Sequence, residues 1–469
     1  MSLFKSTAWY TLGNLFARSL GFILLPFYSN LIPAEDFGRY ALLMSAYAVM
    51  SAVYQGGLFP GFSKYFLETE DENKRKKIFT SCFLLILFIS LVITVLASIF
   101  SQNVSSLILG NRAYGRLVVL TAWMLFTDTI FLTVLHLLKT REESKQVIYY
   151  TSLSALFNLV LNLFFVFYLR RGVEGIFLAQ LFSGGVIVVI MTGVLKNNFR
   201  MASDSPVLKS ILIFSFPLLL AGILSTFVDV ADRFILDHFL DKKMVGIYSF
   251  SYRIAMIMNI FVISFRTAWT PYSLRLLRHE EKNYGILFGH SFTRLIAISL
   301  LIFLAVSLFI KDLFSFHIAG GSLFNAQYAP GIVIIPFILL GYGFSGLISF
   351  YSVYPYQSGK SYHFLVSDLL AFIVNVVLNF ILIPKSGIMG AGMATLISFF
   401  AGFIYLYFVS KPVKIVYETK ELLSLLLYAA AFFFLGRLAD NFWMNLVLVV
   451  GFTIVIQRTL NLMKKLRTQ

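Results

Sequence analysis

Fourteen long apolar runs bounded by polar breaks constrain this chain more than any other feature. They fall near 7–29, 38–60, 78–100, 116–138, 147–168, 173–195, 210–236, 246–268, 286–310, 330–352, 364–383, 388–409, 421–436 and 442–461. A helix rises about 1.5 Å per residue, so a run of about 20 crosses a hydrocarbon core of about 30 Å. The residues AVILMFWYC make up 59% of the chain and DEKR only 13%, against about 25% charged in soluble domains. A soluble enzyme, a disordered chain and a collagen are thereby excluded. An outer-membrane barrel would show alternating segments of about 10 residues, not continuous runs. The single cysteine, Cys82, leaves no internal disulfide framework and no cysteine-based zinc or iron–sulfur site.

The breaks between the runs are short. The longest, 61–77, 101–115, 196–209, 269–285 and 311–329, are too small for a soluble domain. Lys5 followed by an apolar run imitates a signal peptide, but Arg18 interrupts the run and no small-x-small cleavage site follows, so it reads as a retained first span. With the N-terminus inside, 22 loop Lys and Arg lie inside and 10 outside. This bias predicts a multi-pass protein with both termini in the cytoplasm. Most of the net charge of +16 is then topological, with anionic membrane lipid and not nucleic acid beside it.

The sequence also resembles itself. Asn158-x3-Asn162 is followed by Gly172-x2-Gly175-x3-Ala179-x-Leu181-x-Ser183; Asn375-x3-Asn379 is followed by Gly387-x2-Gly390-x3-Ala394-x-Leu396-x-Ser398. A second echo pairs Phe37-Gly38-Arg39-Tyr40 with Val245-Gly246-Ile247-Tyr248. One duplication of six helices explains both. Six is even, so both copies enter the membrane in the same sense, and the halves should be related by an axis along the membrane normal. A substrate path is expected between them near the midplane.

Ionisable groups inside spans are costly and so point to function. Thr7, Thr11, Asn14 and Arg18 recur at helical spacing on one face of the first span, with Arg18 near the midplane. A stripe of this kind suits a hydrated cavity better than one buried pair. Asp229, Asp232 and Arg233 cluster at the outer end of span seven, and Arg253 reaches the same depth on span eight, in position to pair with Asp229. Asp128 lies mid-way along span four without a local basic partner; it is protonated, paired to Arg18, or a cation or proton site. Arg266 and Arg294 can snorkel, and the asparagine pairs read as interhelical hydrogen-bonding groups. Tyrosines and tryptophans read mostly as interface belts. Gly359-Lys360-Ser361 lacks the earlier glycine of a phosphate loop, with Tyr354 in its place. The six histidines show no metal-ligand spacing, and no catalytic constellation is present. No metal or cofactor is expected; a proton or sodium gradient remains open as the energy source.

Several stretches in order resemble a known family. They are Gly21 and Leu24-Leu25-Pro26-Phe27-Tyr28 through Leu31-Ile32-Pro33-Ala34-Glu35-Asp36-Phe37-Gly38-Arg39-Tyr40, then Phe216-Pro217 and Asp232-Arg233-Phe234-Ile235-Leu236. Val245-Gly246-Ile247-Tyr248, Ala268-Trp269-Thr270-Pro271-Tyr272, and Asn375-Val376-Val377-Leu378-Asn379 leading to Ile383-Pro384, Gly387-Ile388 and Gly390-Ala391 complete the set. The chain resembles the polysaccharide-transport, O-antigen flippase branch of the multidrug/oligosaccharidyl-lipid/polysaccharide (MOP) exporter superfamily. That resemblance implies an all-α membrane protein with an N-lobe over 1–200, a C-lobe over 201–410 and a C-terminal helix pair over 411–469. It implies alternating access in the bacterial inner membrane, with an undecaprenyl-pyrophosphate-linked oligosaccharide as substrate, for O-antigen, capsule or exopolysaccharide synthesis. Polysaccharide polymerase and glycosyltransferases are the implied partners. Arg18 and Arg253 fit the basic cavity residues of such flippases, with Asn14, Arg233, Asp128 and Asp229 as further candidates. The competing readings are an ion-coupled multidrug exporter of the same superfamily, which would use Asp128, and a membrane-embedded glycan polymerase, for which the outer loops are short.

Overall fold

The computed structural model describes residues 22–200, 205–278, 283–318, 321–360 and 362–468. They group into two compact units, Met1–Gly246 and Ile247–Gln469. In the first unit the helices are α1 (Leu25–Leu31), α2 (Ala34–Tyr54), α3 (Phe59–Leu67), α4 (Glu72–Ile99), α5 (Ser101–Leu109), α6 (Gly115–Thr140), α7 (Ser144–Asn162), α8 (Gly172–Ile190), α9 (Thr192–Asn198) and α10 (Ser205–Phe239). α11 (Lys242–Ala255) runs from the first unit into the second. There follow α12 (Ile257–Arg278), α13 (Tyr284–Ser315), α14 (Ile335–Tyr351), α15 (Val353–Gln357), α16 (Tyr362–Val409), α17 (Thr419–Ala439) and α18 (Phe442–Thr468). A small antiparallel hairpin, β1 (His317–Ile318) with β2 (Gly321–Ser322), lies between α13 and α14.

Among the described residues eleven helices are long and apolar enough to span a membrane, or twelve when α11 and α12, bent by 42°, are taken as one span. The 48 residues of α16 are about 72 Å of helix, twice what a core of about 30 Å needs. Its break is at Gly387, whose φ of 56° and ψ of −137° belong to a region open to glycine and closed to most residues with a Cβ. Counted as two, it brings the described spans to thirteen of the fourteen expected. The first run, 7–29, lies mostly outside the described residues, and α1 is its end. Two expected loops carry helices instead. α3 begins at Phe59-Pro60, with the proline at a position whose N–H a helix leaves unused, and it buries Phe62 and Phe66.

In the first unit, Phe62, Phe66 and Phe79 form one core with Ile78, Cys82 and Leu138. The guanidinium groups of Arg75 and Arg141 lie over the Phe66 ring at 5.3 and 5.5 Å. Glu72 binds both, at 3.1 and 2.8 Å. The aromatic ring is therefore closed off by charges that satisfy one another. In the second unit Trp269 is buried rather than interfacial. It stacks on Phe350 at 4.7 Å, and its indole N–H donates to the Phe350 carbonyl at 3.0 Å. With its one donor satisfied inside, the ring needs no water-facing position.

The second sequence echo marks a helix crossing. A Cβ on Gly38 would stand 1.8 Å from the Lys242 carbonyl oxygen, and one on Gly246 1.8 Å from that of Ala34. α2 and the start of α11 thus meet backbone to backbone at the two copies of the same motif. Without a hydrophobic drive between helices in lipid, such close approach through small residues is what lets dispersion hold them.

Candidate functional site

The first unit holds a buried chain of polar side chains drawn from five helices. The Tyr47 hydroxyl on α2 donates to Asp128 Oδ2 on α6 at 2.7 Å. Gln180 Nε2 on α8 reaches the same oxygen at 3.4 Å. Gln180 Oε1 accepts from Asn158 Nδ2 on α7 at 2.6 Å. Asn162 Nδ2 donates to the carbonyl and Oδ1 of Asn158 at 2.9 and 3.1 Å, and its own Oδ1 accepts from the Tyr28 hydroxyl of α1 at 2.7 Å. Local sequence makes this possible. Asn158 and Asn162 are one turn apart on one helix face. Gly184 lets α8 close on α6 beside the carboxylate: a Cβ there would meet Thr127 Oγ1 at 2.8 Å and Asp128 Oδ1 at 3.4 Å.

Asp128 is buried, and none of the ion pairs among the described residues includes it. Its carboxylate accepts from Tyr47 and Gln180, two donors that the sequence reading did not name. Among the described residues the donors to this carboxyl, Tyr47 and Gln180, are neutral. Its proposed partner Arg18 lies outside the described residues, as does Asn14.

Near the C-terminal end of α10, Arg233 pairs with Asp232 at 2.8 Å, with both side chains largely buried. It also donates to the Asp229 backbone carbonyl at 2.6 Å. The i,i+4 neighbour Asp229 thus supplies Arg233 with its main chain, and the adjacent Asp232 supplies a carboxylate. Asp229 is exposed, and Arg253 on α11 is half-buried. Both take part in further interactions.

Three members of the polar chain, Tyr28, Tyr47 and Gln180, were not legible as site residues in the sequence. Gln180 had a signal: it falls inside the repeated Gly-Ala-Leu-Ser pattern, where the second copy has Thr395. The two tyrosines sit among so many aromatics that nothing in the sequence separates them from interface residues. The second unit keeps the asparagine pair, with Asn379 Nδ2 donating to Asn375 Oδ1 at 2.8 Å and Asn375 Nδ2 to Ser398 Oγ at 3.5 Å. Both pairs therefore bond as the sequence predicted.

Long apolar helices, a broken helix in the second copy of a repeat and ionisable groups at membrane depth define a multi-pass membrane transporter fold. The polysaccharide biosynthesis protein family matches residues 3–277, more than half of the chain, and the chain belongs to that family. It is 26% identical over 208 residues to the capsular polysaccharide biosynthesis protein CapF of Staphylococcus aureus, a match covering 44% of this chain and 50% of that protein. The chain thus spans about half the length of that curated relative. Its fold is similar to that of the lipid II flippase MurJ in an inward closed conformation, with a TM-score of 0.77, 15% identity, and coverage of 98% of this chain and 99% of that one. It is also similar to an inward-facing multidrug resistance MATE family transporter of the MOP superfamily, with a TM-score of 0.67, 14% identity, and coverage of 85% and 95%. The expected superfamily and the expected transporter, in place of an enzyme, agree with these matches.

Proposed function

We propose that this protein is a flippase that carries an undecaprenyl-pyrophosphate-linked oligosaccharide across the bacterial inner membrane by alternating access, for O-antigen, capsule or exopolysaccharide synthesis. The observation that carries the reading is the family match over residues 3–277 on a chain whose fold is MurJ-like along 98% of its length. The two repeats, 1–200 and 201–410, are the moving lobes, with 411–469 as an added helix pair. Both termini are cytoplasmic. A pyrophosphate head cannot enter hydrocarbon without a replacement for its water. Arg18, with Asn14 on the same face, supplies charge-assisted donors in the cavity, and Arg253 and Arg233 extend the basic path. Asp128 is the coupling site for a proton or sodium gradient. Polymerase and glycosyltransferases act beside the protein on the same carrier.

Proteoliposomes offered a labelled lipid-linked glycan and, separately, a cationic dye test the substrate class. Glycan transport without dye transport is expected; dye transport alone favours the second reading, a multidrug exporter, which the buried Asp128 and the MATE-like fold support. Arg18→Gln should lose most glycan transport and Arg18→Lys only part, because lysine keeps the charge but not the planar fork. Near-normal transport by Arg18→Gln refutes its role. For topology, Lys74→Cys should be shielded from an impermeant outside label and Leu107→Cys reached by it, both in a Cys82→Ser background.

A further inference from the structure

An apolar groove of about 650 Å³ runs along the second arm of α16, lined by Ile397, Phe400, Ala401, Ile404 and Phe408, with Leu370 of the first arm. The second-arm residues recur at three- and four-residue steps and so form one helix face. From Ile397 to Val409, the last lining residue, the groove follows about 18 Å of helix. That is close to the hydrocarbon depth of one leaflet, about half of 30 Å.

Its two ends differ. Past Val409 the groove opens on Lys411, whose ammonium lies over the Phe408 ring at 4.6 Å. Opposite, Lys360 is exposed and its carbonyl accepts from the His363 N–H at 3.2 Å. The His363 ring is bonded to the Tyr405 hydroxyl of the groove wall at 2.8 Å. Lys411, His363 and Tyr405 thus form a cationic, hydrogen-bonding rim at one end of an apolar slot, with the exposed Lys360 three residues before His363.

We propose that this groove binds one acyl chain of an anionic phospholipid, with the lipid phosphate held at the rim by Lys411 and Lys360. The occupant follows from charge and length. The rim is basic, so it favours a net negative headgroup over a zwitterionic one. One leaflet's depth suits an acyl chain, whereas a long polyprenyl carrier would overrun it. The inference is independent of the transported substrate; it uses the proposed orientation only to assign the site to the cytoplasmic leaflet.

The test is thermal unfolding of the purified full chain in detergent, with phosphatidylglycerol, phosphatidylcholine or a polyprenyl phosphate added. Phosphatidylglycerol should raise the wild-type Tm by about 2 °C or more near saturation, and phosphatidylcholine by clearly less. Ala401→Trp, which fills the slot, and the surface change Lys411→Gln should each remove at least half of that shift. Lys74→Gln, in the other unit, should retain it. If Ala401→Trp fails to fold, Ala401→Leu with Lys411→Gln carries the test. Equal shifts from the two phospholipids, full shifts in the groove variants, or a larger shift from polyprenyl phosphate would each overturn the proposal.

Discussion

The two units differ in the polar contacts made beside one step of the repeated pattern. In the first, α6 presents Asp128 to Tyr47 of α2, beside the space left by Gly184. In the second, α14 presents Tyr342, whose hydroxyl shares a hydrogen bond of 2.9 Å with Tyr252 of α11. Its ring packs on Phe399 at 5.6 Å, and Phe399 stands 215 positions after Gly184, the offset of the repeated glycines and serines. So where the first copy has a glycine beside a carboxylate, the second has an aromatic ring packed on a tyrosine. The paired asparagines on either side stay alike. The repeat preserves the asparagine-to-asparagine bond within each helix and diverges at Asp128, which meets Gly343 at the repeat offset. A carboxylate at this position of one copy and a glycine at that of the other make the two positions unequal toward a proton or cation.

The strongest way to break this comparison is to neutralise the carboxylate. Asp128→Asn keeps an acceptor for Tyr47 and removes the ionisable group. It should abolish flux driven by an imposed proton or sodium gradient while leaving exchange without a gradient. Tyr342→Phe should leave both near wild type in the same proteoliposomes. Equal losses from the two would show that the units are not distinguished by charge. A large effect of a different kind belongs to the shared glycines. Gly38→Ala and Gly246→Ala each force a Cβ to within 1.8 Å of a carbonyl oxygen, and should cost about 1–3 kcal/mol as strain or helix separation. Gly222→Ala, where nothing lies within 4 Å of the added carbon, should cost nothing comparable. Thermal unfolding in detergent reads both.

The smallest expected effect sharpens the symmetric part. Asn162→Ala breaks bonds to Asn158 and to Tyr28, whereas Asn379→Ala breaks the one bond made by its amide to Asn375. Of these only the bond to Tyr28 joins two helices, and interhelical hydrogen bonds in membranes are worth about 0.6 kcal/mol on average and up to about 1.7. Asn162→Ala should therefore destabilise more than Asn379→Ala. The reverse order would mean that the asparagines of the second unit carry the greater load.

Much of the fold was legible because the bilayer imposes length and polarity on every span. Apolar runs, the Gly387 break and the asparagine pairs needed only helical periodicity and the cost of bare polar groups in lipid. The candidate site was legible only in part. Asp128 announced itself, since a carboxylate inside an apolar run is expensive wherever it points. Tyr47 and Gln180 did not, because a phenol or an amide within a span is unremarkable until its partner is known. Trp269 misled for the same reason: an amphipathic ring suits an interface or a core, and only the Phe350 carbonyl decides.

From the order of residues alone came many membrane crossings, two copies of one Asn–Gly–Ala–Leu–Ser pattern, and ionisable residues within the apolar runs one, four, seven and eight. These follow from composition and one-dimensional order, which a membrane reads directly. The tertiary structure alone decided which groups meet: Asp232 as the carboxylate of Arg233, Tyr47 and Gln180 around Asp128, and the two repeated glycines against each other's helices. Such pairings depend on the rotation and depth of helices far apart in sequence. In lipid, where apolar faces gain little by choosing one neighbour over another, those are set by close packing and hydrogen bonds that no single span contains.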